Sequence, residues 1–459
     1  MASSAQPSPG NENRLYQPSF RQDWERHKLY SLAQWVNGLA FRDIQFSPTG
    51  KPVIKIAEIK QGLSDQTKYT KQVFDESVHI KKGDLLFTWS GQPETSIDVF
   101  WWRGLDGWLN QHSFRVTPTE GVDPVFLYYL LRYLKPNFIG IARNKQTTGL
   151  GHVTKRDLEN IEVAYPRFSE QRAIARVLGT LDDKIELNRR MNETLETMAR
   201  ALFKSWFIDF DPVHAKAEGR DPGLPADIAA LFPSSFEDSE LGEIPKGWTV
   251  APMGHLAEVT IGGDWGEDNP LADSVEAVCL RGVDLEHLRE NGWADAPRRW
   301  FTTLSIQKRT LCARDVLVAG SGAGPTGRSL WAAPELDQLW GVPVLYSNFC
   351  KRLRCPSEAS AIYLDRSLSI MRDSGEIWEY VNGTSVPNLD AGALLSGKML
   401  VLPDGAILDA FARLIKEISA HLFSPESRTL ATVRDTLLPK LLSGELQVKD
   451  VDQPMEAHV

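Results

Sequence analysis

The segment GAGPTGRS at 322–329 has the spacing of a phosphate-binding loop, in which backbone N–H groups and a lysine hold phosphate oxygens. Arg328 stands in the place of that lysine, and its planar fork is wider than a lysine point charge. Pro325 lies inside the loop, and Pro334 follows too early for the long helix that should point at a phosphate. We therefore expect a plain surface turn or a loop that faces DNA, and we rank a P-loop NTPase last.

Other catalytic constellations are missing from the sequence. We find no Asn/Asp-Pro-Pro-Tyr/Phe motif of an amino-methyltransferase, no Gly-rich methyl-donor loop, no Asp…Glu-x-Lys nuclease core and no HExxH metal motif. The cysteines have no CxxC partner and no nearby histidine pair, which predicts reduced thiols instead of zinc or disulfide chemistry. They are Cys279, Cys312, Cys350 and Cys355. We expect a chain without enzymatic activity, metal or cofactor of its own.

Two strand-like segments of the first half recur in the second half. One repeat pairs Asp84 with Asp315, and the other pairs Phe114 with Phe349. The matched segments are KKGDLLFT (81–88) with CARDVLVA (312–319), and HSFRVTP (112–118) with NFCKRLRCP (348–356). The copies are separated by the sequence distance from Asp84 to Asp315. Solenoid repeats have much shorter periods of about 20–50 residues, so these copies are whole domains. Two similar domains on one rigid support suit a two-part linear target, of which DNA is the obvious example.

Each copy ends at a proline, Pro166 or Pro403, and continues into an amphipathic helical arm. In the first arm, 169–206, the a and d positions form an apolar seam that contains Asn188 and Asn192. The seam is Ile174, Leu178, Leu181, Ile185, Asn188, Asn192, Leu195, Ala199, Leu202 and Trp206. It predicts a coiled coil about 57 Å long at 1.5 Å per residue, with the two Asn residues fixing its register. An ordinary amphipathic core helix is the alternative. Since a whole domain separates the arms, we expect them to pack antiparallel.

The remaining pattern predicts short strands, one buried helix and a linker. Alternating runs such as PVIKIAEI at 52–59 indicate strands, and PVFLYYLLRYL at 124–134 indicates a helix. The predicted layout is a disordered start (1–20), a first recognition domain (21–166), a central coiled-coil helix (167–208), an acidic linker (209–243), a second recognition domain (244–403), a distal coiled-coil helix (404–446) and a tail (447–459).

Composition and charge restrict the function further. Hydrophobic residues make up 42% and charged residues 24%, which is ordinary for a soluble globular protein, and 459 residues predict two or three domains. No secretory signal and no membrane-spanning window are visible, so we expect a cytoplasmic protein without a membrane partner. The net charge is -9, although 1–165 holds 20 Lys and Arg against 17 Asp and Glu. We expect weak, salt-sensitive DNA affinity unless a partner supplies cations.

Three segments resemble the specificity (S) subunits of type I restriction-modification systems. The longest is SEQRAIARVLGTLDDKIELNRRMNETLETMARALFKSWFIDFDPVHAKAEGR at 169–220. ALFPSSFEDSELGEIPKGW at 230–248 resembles that family's lead-in to its second recognition domain, and VRDTLLPKLLSGEL at 433–446 resembles its distal arm. The recognition domains of the family diverge greatly, so the likeness there extends only to the scaffold. The second arm departs from the family pattern at Ser424-Pro425.

The resemblance implies an α+β fold with two pseudo-repeated mixed α/β target-recognition domains, separated by a long antiparallel two-helix coiled coil. Each domain would read one half of a bipartite double-stranded DNA sequence. Two methylation (M) subunits would dock on the arms and carry the methyl donor and the base-flipping adenine-N6 chemistry. Restriction (R) subunits would add cleavage and translocation that need ATP and magnesium.

Polar loop residues that follow strand ends are the candidates for DNA contact. Arg and Lys fork onto guanine, Asn and Gln pair with adenine, and hydroxyl groups reach either base. The candidates are Ser90, Gln92, Arg143, Lys145, Gln146, Thr147 and Thr148 in the first domain, and Ser321, Arg328, Asn382, Thr384 and Ser385 in the second. A coiled-coil scaffold whose domains bind protein instead of DNA is the alternative function.

Overall fold

The computed structural model describes residues 18–41, 44–146, 149–322, 324–383 and 385–448. Most of the predicted disordered start (1–20) and of the predicted tail (447–459) lies outside these ranges. The chain divides into two compact units. The first unit comprises Met1–Asp183 together with Ala431–Val459, and the second unit comprises Lys184–Leu430.

The first half of the chain alternates short strands with helices. Its strands are β1 (Glu25–Lys28), β2 (Ala33–Asn37), β3 (Lys51–Ile54), β4 (Tyr69–Thr70), β5 (His79–Ile80), β6 (Leu85–Thr88), β7 (Ser90–Gly91), β8 (Asp98–Trp101), β9 (Gly107–Leu109), β10 (Ser113–Pro118), β11 (Gly151–His152) and β12 (Glu162–Tyr165). Its helices are α1 (Ile56–Gln61), α2 (Pro93–Ser96), α3 (Pro124–Tyr133), α4 (Lys135–Asn144), α5 (Lys155–Asn160) and α6 (Phe168–Phe207).

The second half also alternates short strands with helices. Its strands are β13 (Phe236–Ser239), β14 (Gly242–Pro245), β15 (Thr249–Pro252), β16 (Glu258–Val259), β17 (Ser274–Leu280), β18 (Arg298–Thr302), β19 (Asp315–Ala319), β20 (Ser329–Trp331), β21 (Val344–Tyr346), β22 (Cys350–Arg354), β23 (Val381–Asn382), β24 (Asn388–Leu389) and β25 (Met399–Leu402). Its helices are α7 (Asp211–Ala217), α8 (Ala226–Ala229), α9 (Gly282–Asn291), α10 (Thr303–Arg309), α11 (Leu336–Trp340), α12 (Glu358–Ser374), α13 (Ala391–Gly397), α14 (Gly405–Leu422) and α15 (Glu426–Ser443).

The two units contain the same sheets, which confirms the repeat. An antiparallel sheet has the order β2-β10-β6-β8 in the first unit and β16-β22-β19-β20 in the second. β3 pairs in parallel with β9, and β17 pairs in parallel with β21. The first and last strands of each copy also pair, as β1 with β12 and β15 with β25. The α+β fold with two pseudo-repeated mixed domains is therefore confirmed.

The register of the repeat corrects one residue pairing. Thr88 lies opposite Ser113 and Ala319 lies opposite Cys350, so these two pairs are equivalent. Phe349 consequently corresponds to His112, and the pairing of Phe114 with Phe349 was wrong by two residues. Similar aromatic side chains misled the comparison, because Phe114 belongs to the buried core whereas Phe349 is 66% exposed.

The run at 52–59 is a strand only in its first part. β3 ends at Ile54, and α1 begins at Ile56. The Glu58 carboxylate accepts a hydrogen bond from the backbone N–H of Lys55 at 3.1 Å, which satisfies a free donor at the helix start. The strand predicted over the whole run was therefore wrong, whereas the buried helix predicted at 124–134 is confirmed as α3.

The central arm forms one continuous helix, and the distal arm is broken. α6 runs from Phe168 to Phe207, whereas α14 ends at Leu422 and α15 begins at Glu426. The distal arm predicted over 404–446 therefore consists of two helices, and they separate at Ser424-Pro425, where the sequence departs from the family pattern and where a proline cannot donate the backbone hydrogen bond that continues a helix.

The helical arms run antiparallel inside the second unit. Asn188 bonds to Glu426 at one end, and the rings of Phe203 and Phe411 are 5.7 Å apart at the other. The order of contacts therefore reverses between the two arms, which agrees with the predicted antiparallel coiled coil.

The segment predicted as a linker is ordered. It contains α7, α8 and the hairpin of β13 and β14. Phe232 from this segment is 2% exposed, and its ring lies 5.0 Å from that of Trp206. Across the described parts of the chain, no helix is both long and apolar enough to cross a membrane.

Candidate nucleic-acid interface

A short polar edge occurs at the same place in both units. In the first unit Ser90 of β7 lies opposite His152 of β11, and in the second Ser321 forms an isolated bridge with Asn388. Equivalent backbone hydrogen bonds fix both edges: Val153 N–H donates to Trp89 O at 2.8 Å, and Leu389 N–H donates to Gly320 O at 2.7 Å. We call these two places the recognition edges.

Each recognition edge turns at a glycine. Gly91 follows Ser90 with φ 128°, and Gly322 follows Ser321 with φ 116°, values that L side chains rarely adopt. A Cβ at Gly91 would lie 2.6 Å from the Cβ of Ser96, and a Cβ at Gly322 would lie 2.9 Å from Pro325 Cγ. The glycines therefore permit a tight turn that leaves both serines only partly buried.

The predicted cations of the first unit are paired with carboxylates. Arg143 Nε lies 2.5 Å from Glu94 Oε1, and this hydrogen bond lowers the pKa of Glu94. Lys145 Nζ lies 2.5 Å from both carboxylate oxygens of Asp157. Burial raises the pKa of Asp157, but Lys145 and Thr154 outweigh burial and the pKa is lowered. Both cations are thus neutralised locally in this structure.

The remaining candidates of the first unit lie in loops around the same edge. Gln92 precedes α2 directly after β7, and Gln146 Nε2 donates to Gly149 O at 2.7 Å. α2 packs against α4, which brings Gln92 into the neighbourhood of Arg143. Thr147, Thr148 and, in the second unit, Thr384 lie outside the described residues.

In the second unit the structure brings Ser321 and Asn382 together through Asn388, a residue that the sequence analysis missed. Asn388 lies opposite Ser321 on one side and opposite Asn382 on the other, where β23 pairs with β24. Asn382, Asn388 and the nearby Ser385 are exposed. Asn388 has no distinctive motif around it, so only its position between the two predicted residues reveals it.

The backbone of Arg328 is hydrogen-bonded to Ala319, two residues before Ser321, and its side chain lines a cleft. Its guanidinium forms an ion pair with Glu286, and both line this cleft of about 370 Å³ together with Glu193 and Arg372. The segment after the loop is strand β20 and not the helix that a phosphate-binding loop requires. The geometry therefore disfavours nucleotide binding at GAGPTGRS.

A buried ionic network connects α6 to the rest of the second unit. Glu196 Oε1 accepts hydrogen bonds from Arg289 at 2.8 Å and from Arg366 at 2.6 Å, and Arg289 also bonds to Asp365 at 2.8 Å. Burial raises the pKa of Glu196, but the two guanidinium groups outweigh burial and lower it to about 2. The carboxylate is therefore ionised and fixes α6 to α9 and α12.

The first unit contains a comparable network on the same helix. Asp182 accepts hydrogen bonds from Tyr129 Oη and from Arg434, each at 2.6 Å. Arg132 lies 3.9 Å from Asp182, and it occupies the position in α3 that Arg366 occupies in α12, nine residues after the helix N-cap. In both units a carboxylate of α6 thus holds the equivalent arginine of the recognition domain.

The two seam asparagines are buried in the second unit. Asn188 Nδ2 donates to Glu426 Oε2 at 2.7 Å and to Ser427 Oγ at 3.1 Å, at the first turn of α15. The bond from Asn188 lowers the pKa of Glu426. Asn192 is 3% exposed, and its Nδ2 lies near Gly292 at the end of α9. The hydrogen bonds of Asn188 suit its predicted role in the register of the arms, whereas the role predicted for Asn192 stays a prediction.

The described residues present polar side chains at these edges. Within them, no group of three or more His, Cys, Asp or Glu side chains could hold a metal ion. Cys279, Cys350 and Cys355 are buried, and Cys312 is exposed; all four are free thiols. The recognition edges instead present hydroxyl, amide and imidazole groups, which suit hydrogen bonding to a polar surface such as a base edge.

Comparison with known proteins defines the class. Residues 21–197 match the family model described as "Type I restriction modification DNA specificity domain". The chain therefore carries such a domain, and the resemblance to type I specificity subunits is confirmed.

Curated relatives extend the likeness along the chain. The type I restriction enzyme HindI specificity subunit of Haemophilus influenzae is 24% identical over 485 residues, covering 92% of this chain and all of that protein. The MjaIX specificity subunit of Methanocaldococcus jannaschii is 25% identical over 362 residues, covering 74% of this chain and 73% of that protein. Among solved structures, the S subunit from M. genitalium has a TM-score of 0.49 and 14% identity, covering 93% of this chain and 99% of that chain.

Proposed function

We propose that this chain is the DNA sequence-specificity subunit of a type I restriction-modification complex. It reads a bipartite double-stranded target and directs adenine-N6 methylation and restriction by partner subunits. The observation that carries the proposal is the duplicated recognition edge, Ser90 with His152 and Ser321 with Asn388, in a chain whose residues 21–197 match a DNA specificity domain. Two similar edges suit a target with two parts.

The charge of the chain supports a role inside a larger complex. The net charge is -9, and Arg143, Lys145 and Arg328 are each paired with a carboxylate. DNA affinity depends strongly on cations that neutralise phosphates, so this chain alone binds DNA weakly. Two methylation subunits and the restriction subunits supply the missing cations.

The partners also supply the chemistry. The chain itself is non-catalytic and has no cofactor. The methyl donor lies on the methylation subunits, and ATP and magnesium lie on the restriction subunits. The complex works in the cytoplasm, where the DNA is.

The test is to coexpress the chain with its methylation subunits and to map methylated adenines in the host DNA. We expect one motif made of two defined halves separated by an unspecified spacer, and no such motif when this chain is omitted. A motif that is unchanged without the chain would contradict the proposal.

A footprint separates a reader from a scaffold that binds only protein. With the methylation subunits present, a reader protects two patches of the target separated by a less protected gap. Uniform or absent protection would instead support the scaffold. Variants of the candidate residues, Asn382→Ala and Gln92→Ala, should each weaken protection of one patch only.

A further inference from the structure

Three polar side chains form a row across the recognition edge of the second unit. Ser321 lies opposite Asn388, and Asn388 lies opposite Asn382. Directly opposed residues of antiparallel strands project to the same face with Cβ atoms about 4.5–5.5 Å apart. The row is therefore about 10 Å long, which is about three base-pair steps of 3.4 Å.

Asn388, in the middle of this row, has a fixed backbone and an available amide. Gly322 N–H donates to Pro387 O at 3.2 Å and Leu389 N–H donates to Gly320 O at 2.7 Å, so the chain is held on both sides of Asn388. Leu389 is 2% exposed and anchors the segment in the core. The Asn388 side chain is exposed and makes no hydrogen bond to a described residue. A fixed backbone that presents an unused amide is preorganised for recognition.

The first unit has a different residue at this position. His152 lies opposite Ser90 as Asn388 lies opposite Ser321, and the backbone hydrogen bonds beside them are equivalent. The serine is therefore common to both edges, whereas the residue opposite it differs. A common residue suits a feature that both half-sites share, such as a phosphate, and a differing residue suits a base that distinguishes them.

We propose that Asn388 and His152 are specificity-determining residues of the two half-sites. The Asn388 amide oxygen accepts from adenine N6, and its amide N–H donates to adenine N7, the bidentate contact that selects adenine in the major groove. His152 presents an imidazole at the same place, and its N–H donates to a purine acceptor. The inference rests on the proposed DNA-reading function and adds the residues that set each half of the target.

The experiment coexpresses the full-length chain with its methylation subunits and maps adenine methylation for each variant. Asn388→Ala and the shape-conserving Asn388→Asp should relax the base preference at one position of one half-site. Discrimination between the preferred base and the other bases at that position should fall about 10- to 100-fold, and the other half-site should be unchanged. Gln338→Ala is the control, because it removes another exposed amide in the second unit. It should leave the methylated motif and the methylation rate the same as in the parent chain. His152→Asn should alter only the half-site that the first unit reads.

The outcomes separate the inference from the function on which it rests. Suppose that the parent chain yields a two-part motif and that both Asn388 variants methylate the same motif at the same rate as Gln338→Ala. The specificity assignment is then overturned, and the proposed function stands. If the parent chain yields no two-part motif, both are overturned. A change confined to one half, at the same site for Asn388→Ala and Asn388→Asp, supports the inference.

Discussion

Asp84 and Asp315 occupy the same turn in the two units. The Asp84 carboxylate accepts a hydrogen bond from the N–H of Lys81 at 2.7 Å, and the Asp315 carboxylate accepts one from the N–H of Cys312 at 2.9 Å. In both turns the backbone N–H of the aspartate donates back to the same partner, at 3.0 and 2.8 Å. Each turn leads into an inner strand of its four-stranded sheet, so the repeat extends to individual hydrogen bonds.

The two aspartates should nevertheless differ in their contribution to stability. Asp315 is fully buried and accepts hydrogen bonds from Nε and Nη2 of Arg354, whereas Asp84 is half-buried. Asp84→Ala loses a turn hydrogen bond and should lower the free energy of unfolding by about 1 kcal/mol. Asp315→Ala leaves Arg354 without its partner and should cost about 3 kcal/mol. Urea denaturation measures both, and equal losses would contradict the distinction.

The buried carboxylate of Glu196 should make stability depend on pH in acid. Its pKa in the folded chain, about 2, is below the ordinary value of 4.5. Its contribution is therefore complete above pH 4.5 and is lost as the pH falls towards 2. Glu196→Gln removes the carboxylate that Arg289 and Arg366 share and leaves Asp365 as their only remaining counter-charge among the described ion pairs, so it should cost about 3 kcal/mol at pH 7. Urea denaturation of the parent and the variant at pH 7 and pH 3 should show the difference shrinking in acid. A constant difference would exclude this linkage.

Asn188 should stabilise the contact between the arms through its amide. Asn188→Ala leaves the buried Ser427 hydroxyl without a donor, so we expect a loss of about 1–2 kcal/mol in the free energy of unfolding. Met198, which is 57% exposed on the same helix, provides the control, because Met198→Ala removes no buried contact. Thermal unfolding of both variants measures the effect. The interpretation is wrong if the two variants unfold at the same temperature.

The four cysteines should react at two very different rates. Burial raises the pKa of Cys279, Cys350 and Cys355 to about 12, so these thiols stay protonated and shielded at pH 8. Cys312 is exposed. A thiol reagent at pH 8 should therefore modify one cysteine per chain rapidly and the other three only after unfolding. Cys312→Ser should remove the rapid phase, and a rapid phase that persists in this variant would contradict the burial of the others.

The sequence predicted the features that depend on local pattern. The heptad seam predicted α6 closely, and the repeated strand at Asp84 and Asp315 predicted the duplicated sheet. The apolar run at 124–134 predicted α3. Periodicity and turn chemistry are properties of neighbouring residues, which explains these successes.

Features that depend on distant residues could not be predicted. Nothing in the sequence links Glu196 to Arg289, because the two side chains meet only after the domain has folded. Asn388 was missed for the same reason: its place beside Ser321 depends on how two short strands pair. At 52–59 an alternating pattern indicated a strand, but the hydrogen bond from Lys55 N–H to Glu58 started a helix. DNA contact by any of the candidate residues stays a prediction.

Each unit has a hydrophobic core of its own. The core around Phe87 and Phe126 contains only residues of the first unit, and the core around Val316 and Phe411 contains only residues of the second. Substitutions that change the core of one unit therefore leave the packing of the other unit intact. Under the proposed function, natural variation can revise either half of the target separately. The number of possible targets is then the number of variants of the first domain multiplied by the number of variants of the second, and no new fold is needed.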